Sequence, residues 1–321
     1  MLRSNPQPAL RVNWYNSGAS DRMPLDPVHL FINPTAGRGR ARRRLTRLQE
    51  ILLEAGLETV VHSSRSMGHI EESVCRRVED GLDRVVVAGG DGSIHEAING
   101  LQRASRVATL GVIPTGTGND FAKAADIPLD WETATRLLAD RIVAGTVPRR
   151  LDVGRMNDRY FANGAGIGLD ARVTALARSC RWPKGDLVYL LAIFRAMLDS
   201  LATPRMTIEG DGFRWDDALT LASISNGPWI GGMFHIAPMA DNADGRLELT
   251  IAKPVTRRRI MRLLPKLMNG THVDEPEIVH APVTRLTIRA DEPVPSHLDG
   301  EVQPETDAFE IELLPERLRL L

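Results

Sequence analysis

The hydrophobic positions of the chain fall into two regimes that meet near Arg150. Before it, short apolar runs alternate with longer stretches of helical spacing. Val28-His-Leu-Phe-Ile32, Thr59-Val-Val-His62, Arg84-Val-Val-Val-Ala88 and Leu110-Gly-Val-Ile113 have the composition of buried strands. Between them, Leu45, Leu48, Ile51, Leu52 and Leu57 form one helical stripe with Gly56 as its stop. Ile70 to Val78 gives a second helix, a third starts near Ser93, and Trp131 to Val143 gives another before the break at Gly145 to Pro148. Such alternation predicts a parallel sheet covered on both faces, because parallel neighbours need crossover connections.

Beyond Arg150 the runs are strand-like: Tyr160 to Asn163, Arg205 to Ile208, Leu219 to Ser225, Arg246 to Ile251, Leu286 to Arg289 and Phe309 to Leu313. Several alternate apolar and polar residues, which suits antiparallel strands with one wet face. Leu187 to Leu201 and Arg257 to Met268 are helical insertions, and Pro265 is expected to limit the second. The predicted fold is an α/β N-terminal domain, a parallel sheet with flanking helices, followed by a mainly β C-terminal domain. A chain of 321 residues exceeds one comfortable core, which agrees with two domains and a cleft between them. The expected divisions are 1–26 as an irregular segment, 27–148, and 149–321, with room for the last strand to return to the first domain.

Composition narrows the partners. A 43% hydrophobic and 25% charged chain is ordinary globular protein, and a net charge of -1 gives no overall attraction to nucleic acid or anionic membranes. No nucleic-acid partner is expected. Arg38, Arg40, Arg42, Arg43, Arg44 and Arg47 form a local basic patch, either a solvated helix face or an anion site. Cys75 and Cys180 define neither a disulfide framework nor a zinc site, which fits a reducing cytoplasm. No apolar run reaches the ~18 residues of a membrane span, so any meeting with lipid is expected to be peripheral.

Candidate chemistry gathers after the strands of the first half, where open parallel sheets bind ligands. Three glycine-rich loops occur there: Asn33-Pro34-Thr35-Ala36-Gly37-Arg38-Gly39, Gly89-Gly90-Asp91-Gly92-Ser93, and Pro114-Thr115-Gly116-Thr117-Gly118-Asn119-Asp120. Glycines let backbone N–H groups approach phosphate oxygens, and a following helix adds its positive end. One such loop alone is explained by a tight turn; three on adjacent strand ends argue for phosphate. Asp91 among phosphates calls for a cation such as Mg2+, or else caps the next helix. No Walker A loop and no protein-kinase catalytic loop are present.

Phe31-Ile-Asn33-Pro34 with Gly37 and Gly39, Gly89-Gly-Asp-Gly-Ser93 with Glu96 and Asn99-Gly100, and Pro114-x-Gly-Thr-Gly-Asn-Asp-Phe121 together resemble the catalytic domain shared by diacylglycerol, sphingosine and ceramide kinases and their bacterial relatives. The resemblance extends from Val28 to the C-terminal end through Asn163 to Gly168, Asp244-Gly245 and Asp299-Gly300-Glu301. It implies an ATP-dependent lipid kinase with nucleotide in the cleft, Asn33, the Gly89 to Ser93 loop, Glu96 and the Gly116 to Asp120 loop around it, and Asp299 as general base. It also implies a structural Mg2+ near Asp244, whose Asp-Gly is otherwise a hairpin turn. Ser93 replaces the family's common Thr, and His95 a frequent Asn; no catalytic role is assigned to His95.

Asp299 and Glu301 are separately expected to point one way, as residues i and i+2 of an extended segment, giving a base beside a metal; the bland alternative is a hairpin turn. The helix at Arg257 to Met268 is basic on one side and apolar on the other, as is expected of a membrane-surface helix or of one packed on the β core. Replacing Arg257, Arg258 and Arg259 is expected to weaken binding to anionic vesicles. Trp229, Ile230, Met233 and Phe234 form either an acyl-chain entrance or a partly buried loop. Competing readings are an NAD kinase or a sugar kinase with a similar Gly-Gly-Asp-Gly loop, and a silent nucleotide- or lipid-binding regulator. The sequence does not fix the oligomeric state, and a homodimer is compatible with it.

Overall fold

A computed structural model describes residues 25–34, 36–180, 187–199 and 202–321. Its first half runs β1 (Val28–Ile32), α1 (Ala36–Glu54), β2 (Thr59–Ser63), α2 (His69–Glu79), β3 (Arg84–Gly89), α3 (Asp91–Arg103), β4 (Thr109–Pro114), α4 (Asp120–Ala124) and α5 (Trp131–Val143). The four strands are parallel in the order β4, β3, β1, β2. Alternate strand residues face opposite ways. Phe31, Val85, Val87 and Leu110 meet Ile70, Val74 and Ile98 of α2 and α3, whereas Leu30, Ile32, Val86 and Ile113 meet Leu48, Leu52, Leu138 and Ile142 of α1 and α5. Near-continuous apolar strands are therefore the signature of a sheet buried on both faces.

The glycine-rich segment after β1 departs from expectation. Helix α1 begins at Ala36, so Gly37 and Gly39 lie in its first turns rather than in a loop. Asn33 and Pro34 precede the helix, and Thr35 lies outside the described residues.

The second half runs β5 (Arg149–Met156), β6 (Arg159–Phe161), β7 (Gly164–Gly168), α6 (Leu169–Ser179), α7 (Leu187–Asp199), β8 (Arg205–Gly210), β9 (Phe213–Ala218), β10 (Leu221–Ser225), β11 (Leu247–Ala252), α8 (Arg257–Asn269), β12 (Ile278–Val283), β13 (Arg285–Leu298) and β14 (Glu301–Leu320). The strands are antiparallel in the order β12, β11, β10, β7, β13, β14, with β8 and β9 extending from β13 and β5 and β6 from β14. Their inward residues, among them Phe161, Ile208, Ile224, Leu249, Ile288, Phe309 and Ile311, form one core. Helices α6, α7 and α8 share a smaller apolar cluster with Phe234.

Strand β14 joins the halves. Its start pairs with β13, its middle with β5, and Arg319 and Leu320 pair in parallel with Thr109 and Leu110 of β4. Helix α8 continues through Pro265 to Asn269. Pro265 lacks the N–H that would bond the Met261 carbonyl, but both residues are exposed, and water can satisfy that carbonyl.

Candidate active site

The carboxyl ends of β3 and β4 carry the second and third glycine loops, and the two loops touch backbone to backbone. A Cβ at Gly116 would lie 2.5 Å from the Gly90 Cα and 2.7 Å from the Asn119 Oδ1. Only glycine permits that approach. Asn119 fixes the third loop by accepting from the Gly116 N–H at 3.0 Å. The cap of α3 is Gly90 without a side-chain bond, so Asp91 begins the helix instead of capping it. Its carboxylate reaches across to the other loop and accepts from the Phe121 N–H at 3.2 Å. Burial, then the nearby Asp120 and Asp299, push the Asp91 carboxyl up to about 7.

Asp299 and Gly300 form the hairpin turn between β13 and β14, with φ of 49° and 82°, and Leu298 pairs with Glu301 across it. The segment is therefore not extended, and the two acids diverge. Asp299 turns inward. One of its oxygens accepts from the Asn163 and Gly164 N–H groups, both at 2.9 Å, and the other from the Ala162 N–H and His95 Nδ1, both at 3.0 Å. Burial alone raises its pKa, but the bonds from His95 and the backbone outweigh it and hold the carboxyl below its ordinary value. Glu301 instead meets Arg178 at 2.5 Å, and Arg178 also donates to the Gly300 carbonyl at 3.0 Å.

Two cavities meet here. A polar one of about 460 Å³ is lined by Asn33, Gly90, Asp91, Gly92, Ser93, Glu96, Gly116, Thr117 and Glu301, together with Ser64, Arg65 and Arg178. The first turn of α3 opens onto it, presenting N–H groups and the positive helix end. An apolar one of about 690 Å³ runs between α6, α7 and α8 and the β core, past Val173, Ile193, Ile260, Leu264 and Phe234. Gly118, Asp120, Asp299, Trp229 and Ile230 line this second cavity, whereas Met233 packs with the helix cluster beside it. Asp91 and Thr117 line both cavities.

Other expected residues stand back. Pro34, Gly89, Thr115 and Asn119 support the loops without lining either cavity. Asp244 lies in the turn before β11, where it accepts from the Arg246 N–H at 3.0 Å; burial and Asp241 raise its carboxyl. Among the described residues no cluster of three or more His, Cys, Asp or Glu side chains has the arrangement of a metal site.

Several site residues have no motif in the sequence. Lys123 bonds the Gly232 carbonyl at 2.5 Å and Asp120 at 3.2 Å, closing the loop that carries Trp229 over α4. Arg178 and Arg65 bring positive charge from opposite halves of the chain. The i, i+3 spacing of Asp120 and Lys123 was the available signal for the first; the two arginines are placed only by tertiary packing.

Comparison with known proteins agrees with this geometry. Residues 27–156 match the diacylglycerol kinase catalytic domain, and residues 164–321 match the YegS C-terminal NAD kinase beta sandwich-like domain. A diacylglycerol kinase of Bacillus subtilis is 32% identical over 277 residues, 85% of this chain and 89% of that protein. One from Mycobacterium tuberculosis is 29% identical over 309 residues, 92% and 98% of the two chains. The crystal structure of a diacylglycerol kinase from Bacillus anthracis superposes with a TM-score of 0.74 at 27% identity, covering 93% of this chain and 98% of that one. The fold and its matches define a lipid kinase, a phosphotransferase with an alcohol acceptor. The chain belongs to the diacylglycerol kinase family.

Proposed function

We propose that the protein transfers the γ-phosphate of ATP to the free hydroxyl of a diacylglycerol-like lipid, with the triphosphate in the polar cavity and the acyl chains in the apolar one. The observation that carries this reading is the position of Asp91, among the described residues the one carboxylate on the wall common to both cavities. Both volumes lie in the ~300–1,000 Å³ range of small-molecule sites. Phosphoryl transfer needs positioning and charge neutralisation above all, with one group to receive the hydroxyl's proton.

The resemblance assigns that proton to Asp299, but the geometry favours Asp91. Four donors already occupy the lone pairs of Asp299, and its depressed pKa makes it a weak base. Asp91, raised to about 7, is matched to a general base working near neutrality. Asp299 then acts as a fixed anion that holds His95 and the Ala162 to Gly164 turn against α3.

The polar cavity fits a magnesium nucleotide. Its lining includes three carboxylates, Asp91, Glu96 and Glu301, against two guanidiniums, Arg65 and Arg178, so a triphosphate needs a divalent cation there. Glu96, and Glu301 once released from Arg178, would hold Mg2+ together with phosphate oxygens, and the ion would neutralise charge on the transferring group. The Asp91 ligand role expected from sequence is the competing assignment, since a carboxylate bound to the ion cannot also receive the proton.

The test is incubation with labelled ATP, Mg2+ and a total lipid extract, with diacylglycerol, sphingosine, NAD and fructose 6-phosphate offered singly. Phosphorylated diacylglycerol is the expected product; phosphorylation of NAD or the sugar alone would overturn the reading. In the wild type, kcat/KM should fall as pH drops below about 7, the value of Asp91. Asp91→Asn should remove that limb and lower turnover by roughly 10²–10⁴. A profile flat down to pH 4 would return the proton to Asp299.

A further inference from the structure

Helices α7 and α8 each present one face to the apolar cavity. Val188 and Ile193 of α7, and Ile260 and Leu264 of α8, line it from inside. Their outer faces are unlike ordinary solvent-facing helix surfaces. On α7, Leu191, Phe194 and Leu198 are 36%, 48% and 75% exposed, at the i, i+3, i+7 spacing of a single stripe. On α8, Arg257, Arg258 and Arg262 are exposed beside the equally outward Met261 and Met268.

The arginines of α8 divide by partner. Arg259 is tied to Glu275 and Glu277, and Lys266 to Glu275. Arg257, Arg258 and Arg262 have no acidic partner among the described residues, and α8 itself contains no acid. The vesicle-binding role expected of Arg259 is therefore replaced by one for Arg262: a guanidinium clamped by two glutamates is not free to meet phosphate.

We propose that this outer face of α7 and α8 is the docking surface for an anionic phospholipid bilayer, with Leu191, Phe194 and Leu198 entering the acyl boundary and Arg257, Arg258 and Arg262 holding lipid phosphates. An exposed apolar stripe on α7 and unpaired guanidiniums on α8, two helices that share one apolar cluster, match the interfacial layer, where hydrocarbon meets phosphate. A second copy of the chain is a poorer occupant, because a self-facing contact would bring like-charged arginines together. No described helix is long and apolar enough to cross a membrane. The proposal deepens the lipid-kinase reading and rests on it for its purpose: helices that wall the acyl cavity would lie on the layer that supplies the substrate.

The experiment is co-flotation with vesicles of phosphatidylcholine alone or mixed with phosphatidylglycerol, together with phosphorylation of a short-chain diacylglycerol below its aggregation limit. Wild type should float with the anionic vesicles and release in high salt. The Arg257→Gln/Arg258→Gln/Arg262→Gln variant should bind about 100-fold more weakly, from roughly five-fold per guanidinium. Phe194→Ser/Leu198→Ser should lose binding that persists in high salt. All should phosphorylate the monomeric substrate as wild type does. Undiminished flotation of both variants would overturn the proposal, as would a wild type that floats equally with neutral vesicles. So would a dimer, seen by light scattering, that Phe194→Ser/Leu198→Ser dissociates without changing flotation. Normal flotation with no phosphorylation of any diacylglycerol would sink the kinase reading and leave the docking surface standing.

Discussion

Replacing Asp299 probes the junction of the two halves, because its carboxylate gathers groups from β13, α3 and the β6 to β7 turn. In Asp299→Ala, three backbone N–H groups and the His95 Nδ1–H lose their acceptor at once. Each buried donor left unpaired costs about 1–3 kcal/mol. Water from the adjoining cavity can reach part of the space, so about 3–5 kcal/mol is expected, the range for breaking a buried charged pair. Asp299→Asn should cost less. Its amide oxygen keeps two donors and His95 can change tautomer to accept from the amide, leaving the Ala162 N–H opposed by a donor and the new Nε2–H of His95 facing the Asn99 amide N–H, about 1–3 kcal/mol. The Ala variant should melt roughly 4–8 °C below wild type. The pH sense follows from the depressed carboxyl. Its contribution is fully present above the unfolded value of about 3.9 and is lost as pH falls through the lower folded value. The gap between wild type and Ala variant, measured by urea unfolding, should persist through neutral pH, narrow somewhat as pH rises from 5 to 8 because Asp299 helps hold the Asp91 carboxyl up in the wild type alone, and close in strong acid. An Ala variant within about 1 kcal/mol of wild type at pH 7 would refute the reasoning, since an anion with four buried donors cannot be removed so cheaply.

Three further outcomes are expected. Gly116→Ala forces the Gly90 backbone away and should destabilise the protein by about 1–3 kcal/mol while weakening nucleotide binding, read by calorimetry with ATP; unchanged ATP affinity would mean the contact between the loops does not shape the site. Ala177→Phe narrows the apolar cavity, so the KM for long-chain diacylglycerol should rise several-fold more than that for a short-chain one, and equal effects would place the acyl chains elsewhere. Mg2+ without nucleotide should raise the melting temperature of wild type but not of Asp244→Asn, because a cation would relieve the crowding of Asp244 by Asp241 and Asp152; an equal rise in both would exclude a metal at that turn.

The first half was largely legible because its strands are buried on both faces and so are written as unbroken apolar runs with helices of regular period between them. The strands of that half fall within a residue or two of their expected places. Glycine misled once, at Gly37 and Gly39, where the local signal for a loop yielded to helix α1. In the second half, β7 is nearly all glycine and alanine and has almost no strand propensity; ladders to β10 and β13 on either side hold it extended. Prolines and acids interrupt β13 and β14, which nevertheless run for 14 and 20 residues because register shifts near Val294 absorb the irregularities. The Asp299-Gly300-Glu301 segment was legible as a place of interest but not as a shape. Period-two alternation sends its acids to one side, whereas the left-handed turn sends them to two different cavities. Which cations complete the site depends on long-range docking, and no local pattern announces Arg178 or Arg65.

Strand β14 also constrains how this protein comes into being. Leu320 and Leu110 are sheet neighbours although most of the chain separates them, so one margin of the N-terminal sheet stays bare until the distant segment arrives. High sequence separation between partners slows folding, and a bare sheet margin invites pairing with other molecules. A nascent or truncated N-terminal half is therefore expected to need protection from self-association, and productive expression should depend on conditions that favour slow, chaperone-assisted maturation.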